Sequence, residues 1–173
     1  MPHFNVNLIQ SREIKNLFRQ IPDYLDCLKP FNLILTGNPG TGKTSTALAL
    51  ADLIGADLLK IALKHGRADM SYLERIDNFA RTQNLNWLET GNFDDSNRPK
   101  VVLLDEIDLI PAGCIPLRSL LNDHSGKLFF IGTCNSIAKI DASILSRFQT
   151  VEIKGEDLRQ TIQHAQIKTL MSE

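Results

Sequence analysis

Between an apolar run, FNLILT, and a helix-forming run, TSTALALADLIG, stands GNPGTGKT, Gly37 to Thr44. Its spacing is Gly-x-x-x-x-Gly-Lys-Thr, each position of which has a physical task. The glycines permit backbone conformations closed to other residues. Successive N–H groups and the N-terminus of the next helix can then wrap an anion. Gly37, Asn38, Pro39, Gly40, Thr41 and Gly42 form this cradle, and Ser45 follows it in the first helical turn. Lys43 is placed to neutralise the β- and γ-phosphates of a nucleoside triphosphate, and the Thr44 hydroxyl to ligate Mg²⁺.

A second cluster is VVLLDEID, where a buried-strand pattern delivers Asp105 and Glu106 at its carboxyl end. Asp105 suits the Mg²⁺ ion, usually through its waters, and Glu106 suits an attacking water that must be oriented or deprotonated. Two adjacent acids point to hydrolysis, since a nucleoside kinase uses its substrate's own oxygen and needs no base for water. No Asn-Lys-x-Asp guanine signature follows, which favours ATP over GTP. Farther on, KLFFIGTCN ends with Asn135 at a strand terminus, where a polar side chain could hold the attacking water.

These residues need elements to hold them. FNLILT, DLLKIA, KVVLLDE and KLFFIGTCN read as strands. Between them, TSTALALADLIG reads as a helix closed by Gly55, Ser71 with Glu74 forms a capping box for a helix to about Asn84, and PLRSLLNDH reads as a helix opened by Pro116. SREIKNLFRQI predicts a helix ahead of the first strand, ETGNFDDSNRP a loop, and EDLRQTIQHAQIKTLM a last helix. Alternating strands and helices predict an α/β fold. Its parallel sheet carries helices on both faces, with ligands at the carboxyl ends of the strands.

The chain of 173 residues suits one domain with a real core. Its formal net charge of -1 supplies no overall field toward nucleic acid or an anionic membrane, so a DNA contact requires a local patch. Cys27, Cys114 and Cys134, with His3, His65, His124 and His164, share no zinc or disulfide spacing. No leader or membrane-length apolar run is read, and a cytoplasmic setting is expected, or nuclear in a eukaryote.

The phosphate loop, LLDE, the strand-terminal Asn135 and then ILSRF occur in the order seen in AAA+ ATPases, and residues 31–153 resemble that family. PLRSLLNDHSGKLFFIGTCNSIAKIDASILSRFQTVEI is most similar to the small subunits of clamp loaders, including those of phages. The resemblance implies a P-loop NTPase of the AAA+ type, with the loop as Walker A and Asp105-Glu106 as Walker B. ATP and Mg²⁺ are the implied cofactors. It implies that Arg147 is an arginine finger reaching a neighbouring subunit's γ-phosphate, so that ATP hydrolysis waits on assembly. Its planar guanidinium fits the transferring phosphoryl oxygens. Implied partners are other AAA+ subunits, a sliding clamp, and primed DNA held by its backbone. Arg118 matches an arginine said to link DNA contact to the nucleotide site, and Lys64 and Arg67 lie near where relatives approach DNA.

The chain departs from that pattern in places. It lacks the N-terminal Lys-Tyr-Arg-Pro element that helps enclose adenine, and Leu120 to Asn122 replace a usual Met-Glu. The division expected is an ATPase domain over 1–154 and a C-terminal helix over 155–173, the start of a largely missing lid. That leaves open a piece of a longer protein or a small ATPase that borrows lid and collar from a partner. Other readings remain: a helicase loader or branch-migration motor, or a subunit that holds ATP without hydrolysing it and lends Arg147 to a partner.

Overall fold

The computed structural model describes Asn16 and residues 32–63, 71–82, 98–110 and 115–154. Five strands form one sheet: β1 (Asn32–Thr36), β2 (Asp57–Ala62), β3 (Lys100–Asp105), β4 (Leu128–Cys134) and β5 (Gln149–Glu152). They lie in the order β2-β3-β4-β1-β5 and every pairing is parallel. The connections are helical: α1 (Lys43–Leu53), α2 (Ser71–Arg81), α3 (Ile115–Asp123) and the single turn α4 (Ala142–Leu145).

The apolar runs of β1, β3 and β4 are continuous because both faces of the sheet are covered. On one face Leu33, Leu35, Val101, Leu103, Phe129 and Ile131 pack with Ala47, Leu50 and Ala51 of α1. On the other, Ile34, Val102, Leu104 and Phe130 pack with Ile76 of α2 and Leu117, Leu120 and Leu121 of α3. Burying one such side chain contributes about 1.5–3 kcal/mol.

Local chemistry sets the element ends. Gly55 follows α1 with φ 61 and donates its N–H to Asp52 O at 3.0 Å, closing the helix as expected. Lys100 reaches across from β3 to cap α2, donating to Phe79 O at 2.8 Å and also to Thr82 O. Asp141 caps α4, its Oδ1 accepting from Ser143 N at 2.8 Å.

The parallel sheet expected from the alternation is present. Its fifth strand carries no buried-strand signal, since three of the four residues of QTVE are exposed at the sheet edge. Pairing with β1 makes it a strand, Thr36 lying beside Glu152. The expected helix over 11–21 (apart from Asn16), the loop over 89–97, Lys64, Arg67 and the tail helix lie outside the described residues. Among the described residues no helix is long and apolar enough to cross a membrane.

Candidate functional site

The loop from Gly37 to Gly42 joins the carboxyl end of β1 to the first turn of α1, at the middle of the sheet. Gly37 has φ 153, and a Cβ there would stand 2.3 Å from Ile153 O. Only glycine lets the chain after β5 lie against the loop, where Ile153 N donates to Thr36 O at 2.7 Å. Gly42, with φ 87, turns the chain into α1 so that the helix begins without a side-chain cap. Amide groups that nothing in the helix can satisfy are therefore left at the loop, the arrangement that suits an anion. Thr41 Oγ1 donates to Asn38 O at 2.9 Å and braces the loop's outer turn.

Lys43 is buried, and its ammonium donates to Gly37 O at 2.8 Å, Asn38 O at 2.9 Å and Asn135 Oδ1 at 3.0 Å. Through that last bond the end of β4 meets the loop. An ammonium can only donate, so Asn135 turns its oxygen to Lys43 and leaves its amide N–H groups to face another acceptor. The backbone N–H of Asn135 donates to Asp108 Oδ2 at 3.3 Å, in the 3₁₀ turn Ile107–Leu109 after β3. Asp108 Oδ1 is buried without a partner among the described residues.

At the end of β3, Asp105 Oδ1 accepts from Thr44 Oγ1 at 2.9 Å and from Thr133 Oγ1 at 2.7 Å. Its other oxygen lies 3.1 Å from Lys60 Nζ. Burial pushes the Asp105 pKa up, but hydrogen bonds from Thr133, Lys60 and Thr44, with the charge of Lys60, outweigh it and hold the carboxyl below its usual value. Next to it, Glu106 is exposed with φ 64 and ψ 50, the one non-glycine residue at positive φ among the described residues. Its N–H donates to Thr133 Oγ1 at 3.0 Å, which holds this costly conformation in place.

These residues fit a nucleotide's Mg²⁺. Thr44 gives its proton to Asp105 and so keeps a lone pair free. One hydroxyl and one carboxylate match an ion that retains waters and takes its other ligands from phosphates. Among the described residues no group of three His, Cys, Asp or Glu side chains could hold a metal by itself. A cleft of 610 Å³ opens beside the loop, walled by Thr36, Gly37 to Thr41, Asn135 and Glu152 to Lys154. It touches Asn135 but does not include Asp105 or Glu106 in its walls.

The fold thus gathers Lys43, Thr44, Asp105 and Asn135, from three parts of the chain, around one loop. Ser45 is exposed on α1, as are Asn38, Pro39 and Gly40 in the loop. Arg147 is held elsewhere: its Nε donates to Asn122 Oδ1 at 2.8 Å and its guanidinium also to Ser143 O. Arg118 is half-buried on α3, four residues before Asn122. Thr133, Lys60 and Asp108 were not singled out in the sequence, and Asn122 entered only as part of the Leu120 to Asn122 departure. Thr133 had a signal, since it lies two residues before Asn135 and strand side chains alternate. Lys60 had none, because nothing local ties β2 to Asp105.

Residues 33–156 match the ATPase family associated with various cellular activities, and the chain belongs to that AAA family. Among curated relatives, a protein of Acanthamoeba polyphaga mimivirus named as a replication factor C small subunit is 30% identical over 145 residues, covering 80% of this chain and 42% of its own length. The replication factor C small subunit of Sulfurisphaera tokodaii is 36% identical over 165 residues, covering 86% and 47%. The chain spans less than half the length of these relatives. The structure of Caenorhabditis elegans PCH-2 superposes with TM-score 0.54 at 15% identity, over 85% of this chain and 45% of that one, and so shares its fold.

Proposed function

We propose that this chain is the ATP-binding and ATP-hydrolysing part of a clamp-loader-like AAA+ assembly, active on sliding clamps and primed DNA. The observation that carries the reading is the junction at Thr44, Asp105 and Thr133, with Lys43 and Asn135 bonded beside it. In this reading residues 1–154 are the ATPase domain and 155–173 begin a lid. The relatives' names support the clamp-loader part.

The loop amides and Lys43 hold the β- and γ-phosphates. Mg²⁺, when bound at Thr44 and Asp105, supplies charge neutralisation between the phosphate oxygens. Glu106 orients a water and takes up its proton, while the amide of Asn135 aligns that water or the γ-phosphate. Arg147 serves the nucleotide of a neighbouring subunit. Its bonds to Asn122 and Ser143 hold it against α3 and α4 of its own chain.

The test is ATP turnover per subunit against protein concentration, with and without primed DNA and candidate clamps. Specific activity should rise with concentration and with DNA and clamp together. Stimulation by DNA but by no clamp would favour another AAA+ motor. Arg147→Ala should bind ATP normally and lose hydrolysis by about 10³-fold or more, with activity returning on mixing with chains that carry the arginine but lack Glu106. Turnover that is unchanged by dilution and indifferent to Arg147 would refute the reading.

A further inference from the structure

Lys60 lies on β2, the edge strand, in register with Leu103, while Ala62 is the residue beside Asp105. To reach Asp105 its side chain must climb two residues along the strand, about 6.6 Å, nearly the full length of a lysine stem. It does so, placing Nζ 3.1 Å from Oδ2. The Lys60 side chain is 44% exposed and that of Asp105 18%, so the pair sits at the rim of the site and is partly screened.

The other oxygen of Asp105 is already fixed by two hydroxyls, Thr44 at 2.9 Å and Thr133 at 2.7 Å. The carboxylate therefore does not need Lys60 for its orientation. What Lys60 adds is a positive charge on the one carboxylate that pairs with Thr44. A divalent cation arriving there meets a carboxylate already partnered by an ammonium and is repelled by it.

We propose that Lys60 sets the divalent-cation affinity of this site, acting as a resident counter-cation on Asp105 that weakens Mg²⁺ binding. The inference rests on the reading that a nucleotide's Mg²⁺ is held at Thr44 and Asp105. Its consequence is that the site fills with metal only at higher free Mg²⁺ than its ligands alone would require. Lys60 is a positioning and tuning residue, since it acts through Asp105.

The test uses the full chain, a fluorescent ADP analogue and Mg²⁺ titration, with Mn²⁺ binding followed by electron paramagnetic resonance as a second readout. Neither depends on turnover. Lys60→Met keeps the stem and removes the charge. It should lower the half-saturating Mg²⁺ concentration by roughly threefold to tenfold, the scale of an exposed charge near a divalent ion. Lys60→Gln should do the same, and Lys60→Arg should stay within about twofold of the parent. Added KCl should shrink the difference. Thr44→Val is the control for the underlying reading and should raise the Mg²⁺ requirement. If it does so while Lys60→Met and Lys60→Gln leave the requirement unchanged or raise it, the role of Lys60 is overturned and the site reading stands. If Thr44→Val is without effect, or the chain binds no ADP, the site reading falls and this inference with it.

Discussion

Gly37→Ala is the sharpest test of how the loop is built. A Cβ at this position would stand 2.3 Å from Ile153 O, a backbone atom, and must open by about 0.7 Å to reach a separation that real Cβ atoms show. The carbonyl cannot swing aside alone, because the same residue's N–H is bonded to Thr36 O at 2.7 Å. The methyl group also meets φ 153, which costs an alanine roughly 1–3 kcal/mol. Adding an overpacking cost of about 1–3 kcal/mol gives an expected loss of roughly 2–6 kcal/mol. Gly40→Ala is the internal comparison: its φ is 77, but a Cβ there meets nothing within 4 Å, so only about 1 kcal/mol is expected. Urea denaturation of both variants and the parent, followed by circular dichroism, measures the difference. A Gly37→Ala variant within about 0.5 kcal/mol of Gly40→Ala would show that the chain after β5 does not rest against the loop as described.

Lys43→Ala should abolish nucleotide binding, whereas Glu106→Gln should keep binding and lose hydrolysis by about 10²- to 10⁴-fold, checked by ADP-analogue anisotropy beside turnover; equal loss of binding in both would contradict the roles given to them. Asp105 is held below its ordinary value of 3.8, so it contributes stability above that pH and loses it as pH falls through the folded value. Asp105→Asn should therefore flatten the fall in urea midpoint as pH drops below about 5, and parallel profiles for the two proteins would refute the assignment.

Much of the site was legible because its logic is local. A loop that must place amides around an anion needs glycines at fixed spacing beside one lysine and one hydroxyl, and GNPGTGKT states this within eight residues. The buried strands were legible for the same reason, since a parallel strand covered on both faces becomes a continuous apolar run. β5 was not, because QTVE is mostly exposed and owes its strand geometry to hydrogen bonds from β1.

By itself the sequence determined strands β1 to β4 and helices α1 to α3, the glycine-rich loop between β1 and α1, and which strand ends carry Asp105, Glu106 and Asn135. Only the tertiary structure decided that Thr133 joins Asp105 to Glu106, that Asn135 meets Lys43 across 92 residues, and that Lys60 from the edge strand reaches Asp105. It alone fastens Arg147 to Asn122. The physical reason is that strand order and the reach of long side chains depend on how separate segments pack. Composition and spacing within any one segment hold no record of that packing.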